Sequence, residues 1–170
     1  MANPNNILKS FTTSDQNLIN ILTELQNAID SYNTLLSTAG LEIKAGGGKV
    51  AKTGTLAKAF IDGKLVSIAD DTDMPALAGT VANGKFNVFV FSMDSAGAFT
   101  AQMGTAGDTL GEVVFPTVPD DNAVIGFIIV NPTGTGDFVG GTSALDDATI
   151  VPNVVYVDTP YPFNPNLAVL

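Results

Sequence analysis

The chain contains no cysteine, no histidine, no tryptophan and no arginine. Without cysteine there is no disulfide framework, no thiolate metal site and no sulfur nucleophile, and cysteine pairing gives no information about compartment. Without histidine and arginine the chain lacks the usual neutral-pH proton shuttle, the commonest transition-metal ligand and every bidentate guanidinium clamp. Most of the side chains on which enzyme sites are built are therefore missing. The sequence reads as that of a protein that is not an enzyme and holds no cofactor.

Positive charge is equally scarce. The net charge is -10, and the seven basic residues are all lysines, at positions 9, 44, 49, 52, 58, 64 and 85, so the second half carries acids only. A nucleic-acid partner needs a basic footprint, and the one candidate, Lys44, Lys49, Lys52 and Lys58, has no interleaved stacking aromatics. No nucleic-acid partner is expected. Long apolar runs are also lacking: the longest, Ala123 to Val130, is interrupted by Gly126 and falls far short of a membrane span, so no membrane partner is expected either. The opening residues, Met1 to Lys9, lack the basic stretch and long apolar core of a secretory signal. The mean hydropathy of +0.29 then implies that apolar surface is buried in a core or in an assembly.

Residues 14–38 carry two overlapping apolar stripes at heptad spacing, Leu18/Ile21/Leu25/Ala28/Tyr32/Leu35 and Leu18/Leu22/Leu25/Ile29/Tyr32/Leu36. Thr13 with Gln16 fits a capping box, and Gly40 after Ala39 fits a helix stop. The spacing predicts a helical, coiled-coil stem of roughly 37 Å, at about 1.5 Å per residue. Its filled a, d and e positions make the stripe wide enough to touch two neighbours, which favours a trimer over a dimer. Residues 1–13 read as an Asn-rich arm with apolar Ile7, Leu8 and Phe11. Residues 39–59 read as a Gly- and Lys-containing connector whose joint is Gly46-Gly47-Gly48.

From residue 60 the pattern is β. Asp62-Gly63 between Phe60-Ile61 and Lys64 to Ile68 is the signal for a two-residue type I′ hairpin. Further strands are expected at Phe86 to Met93, Ala98 to Met103, Glu112 to Phe115, Ala123 to Asn131 and Ile150 to Asp158, with Gly, Pro, Asn and Asp clusters between them. No helical patterns intervene, so the head, residues 60–170, is expected to be an antiparallel β-sandwich or jelly roll. Val88 to Phe91 and Ile125 to Val130 do not alternate, which implies burial on both faces, one in the core and the other available as a subunit interface. The tail, with Pro160, Pro162 and Pro165, is expected to pack as an extended strap.

The constellations that resemble chemistry are weak. Asp70-Asp71-Thr72-Asp73, Asp120-Asp121 and Asp146-Asp147 lack the spacing of a calcium loop and are read as turns. Asp94-Ser95-Ala96 lacks the glycine and the second copy of an aspartic-protease motif. Gly134-Thr135-Gly136-Asp137-Phe138-Val139 ends on valine where a dinucleotide loop needs glycine, so its glycines are assigned to tight turns or close approach.

The segments FNVFVF (86–91), AVIGFIIVNPTGTGDFVGGT (123–142) and VPNVVYV (151–157) resemble virion proteins of tailed bacteriophages, namely head fibre, decoration or auxiliary capsid proteins. The resemblance covers the head alone and carries no functional residues. It implies a homotrimer on the outer capsid surface, held to the major capsid protein by amino-terminal segments. Here Ile7, Leu8 and Phe11 are the attachment candidates, and Leu18, Ile21, Leu22, Leu25, Ala28, Ile29, Tyr32, Leu35 and Leu36 the oligomer interface. The alternative is a tail-fibre tip or adhesin that binds cell-surface carbohydrate through Phe138, Tyr156, Tyr161 and Phe163.

Overall fold

A computed structural model describes residues 16–30, 33–45, 48–160, 163–165, 168 and 170, with helix side chains described at Gln16 and from Leu18 to Glu24. Helix α1 spans Gln16–Asp30. Eleven strands follow among the described residues: β1 (Thr34–Leu35), β2 (Leu41–Ile43), β3 (Ala51–Thr53), β4 (Ala57–Ile61), β5 (Lys64–Ile68), β6 (Thr80–Val81), β7 (Asn87–Met93), β8 (Phe99–Met103), β9 (Ala123–Val130), β10 (Phe138–Val139) and β11 (Val154–Asp158). The protein is mainly β, and all of the strand pairings are antiparallel.

The Asp-Gly hairpin forms as its sequence requires. Asp62 and Gly63 both take positive φ, +50° and +71°, and the two-residue turn pairs Ile61 with Lys64 and Phe60 with Leu65. Strand β1 adds to β4, giving a three-stranded sheet in the order β1-β4-β5. Its inner row, Leu35, Ala57, Ala59, Ile61 and Ile68, is buried in one cluster with Phe89, Phe91, Ile125 and Ile128 of the central sheet.

That central sheet has the order β11-β9-β7-β8, and every residue of β7 is buried. A register shift opposite Phe91 and Ser92 pairs Phe91 with Gly126 and Ser92 with Val124, leaving Ile125 as the extra residue of a β-bulge. Ile125 therefore joins the same cluster as Ile128. Gly126 is required there by close approach: a Cβ would lie 2.4 Å from the Val157 carbonyl oxygen and 2.5 Å from Leu41 Cδ1.

The expectation of burial on both faces holds, but the second face is covered by the chain itself. Val88, Val90, Val124 and Phe127 pack against Val113, Phe115 and Val118, with Phe163, Ala168 and Leu170 of the tail alongside. Phe163 stacks on Phe127 at 5.6 Å and meets Phe115 edge-on at 5.4 Å. The described tail residues thus act as the expected strap, and this face has no need of a second subunit for cover. The strand expected at Glu112 to Phe115 is instead a 3-10 turn, Leu110–Glu112, followed by an isolated bridge from Val114 to Thr105. The last strand begins at Val154, because Asp147 accepts the amides of Ile150 and Val151 through its carbonyl and holds that stretch in a turn.

Two boundaries move. The stem expected over 14–38 is helical over Gln16–Asp30 among the described residues, and Thr34–Leu35 is a strand. Asn33 fixes the change: its Oδ1 accepts the Asp62 amide at 2.7 Å, and its Nδ2 donates to the Asp120 carbonyl at 2.7 Å. The local run Asn33, Thr34, Ser37 and Thr38 is poor in helix formers. The stretch 39–59, expected as a connector, belongs to the head: Ala39, Leu41, Ala51 and Ala57 are core residues, and β2 pairs with β3. Of the triple glycine, Gly46 and Gly47 lie outside the described residues, while Gly48 accepts the Leu145 amide.

Candidate assembly surface

Helix α1 presents large apolar side chains to solvent at i, i+3 and i+4: Leu18, Ile21 and Leu22 are 45%, 59% and 44% exposed. Leu25, Ala28 and Ile29 continue the same stripe on the helix backbone, and their side chains lie outside the described residues. Tyr32, Ile7, Leu8 and Phe11 also lie outside them. The helix sequence QNLINILTELQNAID carries Glu24 and Asp30 and no basic residue. On a helical projection of about 100° per residue, Glu24 falls at the margin of the stripe, beside Ala28 and Ile21.

Leu35 is a correction to the expected interface. It is 1% exposed and pairs with Ala59 across β1 and β4, so its side chain serves the core of the head. Leu36 points the other way. Its amide donates to the Lys58 carbonyl at 2.7 Å, continuing the β1–β4 ladder, and strand alternation places it on the outer face, where it is 53% exposed. Phe60 and its cross-strand partner Leu65 share that outer face, with Leu65 60% exposed. Lys58 lies on the same face beside Leu36 and forms no salt bridge among the described residues. Phe60 and Leu65 were not singled out from sequence. The signal was present in the two-residue turn, which fixes their register and hence their shared face.

The residues weighed for chemistry occupy structural positions. Asp94 accepts the amides of Ala96 and Ala98 in a turn completed by Gly97 at φ +84°. Asp73 pairs with Lys44, and Lys52 pairs with Asp71 at 2.7 Å and Glu42 at 3.3 Å. The hydrogen bond and charge of Lys52 hold the Asp71 carboxyl below its ordinary range, and Asp71 with Glu42 raises Lys52 in return. Two of the four lysines in the expected basic run are therefore neutralised. Asp147 accepts the Thr149 hydroxyl at 2.6 Å and its amide at 2.9 Å, which lowers its pKa. No three potential metal-ligating side chains converge among the described residues. A Cβ at Gly134 would sit 1.9 Å from the Thr149 carbonyl oxygen, so the glycine loop serves close approach within one chain.

Among the described residues, those named for carbohydrate binding do not form an exposed aromatic platform. Phe138 is fully buried against Phe89, with ring centroids 5.9 Å apart, and Phe163 is engaged with Phe115 and Phe127. Tyr156 packs against the core with its hydroxyl buried and without a hydrogen-bond partner among the described residues, and Tyr161 lies outside them. No described helix is long and apolar enough to cross a membrane. Comparison with family models, with curated proteins and with solved structures finds no match to this chain.

Proposed function

We propose that this chain is a noncatalytic structural protein that self-associates through α1, a homotrimeric head fibre or decoration protein of a tailed-bacteriophage virion. One observation carries the reading: Leu18, Ile21 and Leu22 of one helical stripe stand in solvent on a protomer whose central sheet is already covered on both faces. Water-exposed leucines and isoleucine in that register favour association, because each large aliphatic side chain removed from water contributes about 1.5–3 kcal/mol when fully buried. The wide stripe supports three helices rather than two in a coiled-coil stem. Two sheets sharing one cluster support a sandwich-like head.

The virion assignment is supported by the resemblance of the head segments and by charge. An acidic surface is repelled by packaged DNA and keeps a many-copy exterior protein soluble. In this reading Ile7, Leu8 and Phe11 of the arm grip the major capsid protein and the head faces outward from the capsid. The lack of histidine, cysteine and arginine supports a noncatalytic role. Light scattering of the full-length protein after size exclusion tests the assembly. A trimer that becomes a monomer of unchanged circular dichroism on Leu22→Asp is the expected result, since a carboxylate buried at the seam is costly. A mass unchanged by the substitution sinks the helix-mediated assembly.

A further inference from the structure

On the outer face of the β1-β4-β5 sheet Leu36 and Leu65 stand exposed, while Thr34 on the same face is buried and Phe60 is partly buried. Leu36, Phe60 and Leu65 lie together there by strand register, and Lys58 stands beside them without an ion pair among the described residues. We propose that this face is the head-side half of the self-association surface and that it receives the α1 helix of a second copy of the chain. The proposal rests on the self-assembling reading above and extends it from the stem to the head.

Area is the first argument. The described helix is about 22 Å long, so an apolar stripe roughly 10 Å wide offers about 220 Å². A stable specific interface takes about 800 Å² from each partner, several times more than this helix supplies alone. The additional surface must come from the head, and the face carrying Leu36 and Leu65 belongs to the sheet whose edge strand, β1, directly follows the helix.

Charge is the second. The sheet face carries one charge, the basic Lys58, in a protein of net charge -10, while α1 carries acids and no base, with exposed Glu24 at the margin of its stripe. An acidic amphipathic helix and a lysine-flanked apolar face are complementary. The amino-terminal arm is the poorer occupant, since Lys9 adjoins Ile7 and Leu8 and would be brought toward Lys58. Leu18, Ile21 and Leu22 of the protomer's own helix stand in solvent rather than on this sheet, so the occupant comes from another copy. A helix-onto-next-sheet contact is heterologous and closes into a ring under a three-fold rotation, as a trimer requires.

The test is photocrosslinking of full-length protein with Leu65→p-benzoylphenylalanine, using a mixture of ¹⁴N- and ¹⁵N-labelled chains, with the mass of the same sample measured by light scattering. The expected result is an oligomer with mixed-isotope crosslinks from position 65 to peptides within 16–30. An oligomer crosslinked from position 65 only within one chain, only to residues 1–15, or not at all overturns the proposal and leaves helix-mediated assembly standing. A monomer overturns both. Charge exchange gives an independent readout: Lys58→Glu weakens association about fivefold, and adding Glu24→Lys restores it to within about twofold. Failure of the double variant to recover any affinity overturns the pairing.

Discussion

Leu35 and Leu36 are neighbours in sequence with opposite fates, and substituting each by alanine tests the strand that separates them. Were the heptad helix to continue to residue 38, both would sit on the stem and neither would affect the stability of the head. In the structure Leu35 is buried in the main cluster beside Ala59, whereas more than half of Leu36 is exposed. Leu35→Ala removes a buried isobutyl group and leaves a cavity, a loss of about 3 kcal/mol. For a chain of this size that lowers the melting temperature by about 6–12 °C. Leu36→Ala leaves head stability within about 0.5 kcal/mol, as an exposed substitution should. Thermal unfolding followed by circular dichroism should be run at two protein concentrations tenfold apart, because association makes the midpoint concentration-dependent. The Leu35→Ala shift persists at both concentrations, and any Leu36→Ala shift grows with concentration. Equal shifts for the two variants, or a larger one for Leu36→Ala at low concentration, would refute the β1 assignment and restore the longer helix.

Two further outcomes test the packing of the head. Gly126→Ala forces a Cβ against the Val157 carbonyl and Leu41, and the backbone atom cannot rotate away, so stability falls by about 3 kcal/mol, whereas Gly136→Ala, with open space around it, is near neutral in the same melt. Burial pushes the Tyr156 phenol up to about 12, with the charge of Asp146 adding to the effect. A raised folded-state pKa means that this contribution to stability is full below the unfolded value of about 10 and is lost as pH climbs from there toward 12. Ultraviolet phenolate titration should show a tyrosine ionising near the upper end of that window, absent in Tyr156→Phe. That variant should be no less stable at neutral pH, because the hydroxyl it removes has no partner among the described residues.

Several elements were legible from local chemistry. Asp62-Gly63 fixed a hairpin because few residues accept positive φ at both central positions, and the register of β4 and β5 followed. The non-alternating runs at Val88 to Phe91 and Ile125 to Val130 announced a sheet buried on both faces, and the apolar spacing of Leu18, Ile21 and Leu22 announced an amphipathic helix. The proline-rich tail could form neither a helix nor a central strand, and its described residues pack as a strap.

What the sequence alone determined is thus what depends on neighbours within a turn or two: the hairpin, an amphipathic helix within residues 14–38, most of the strand-forming runs and the acidic, histidine-free composition. Only the tertiary structure decided where the helix yields to the sheet, that residues 39–59 belong to the core, and that the second face of the central sheet is closed by Phe115 and Phe163 of the same chain. It also decided which leucine of the last heptad remains in water. The reason is range: a heptad repeat reports spacing along the chain, whereas Leu35 is drawn inward by a strand partner, Ala59, that lies far along the sequence. Long-range burial outweighs helical periodicity there, and the same pairing turns Leu36 outward onto the face proposed for assembly.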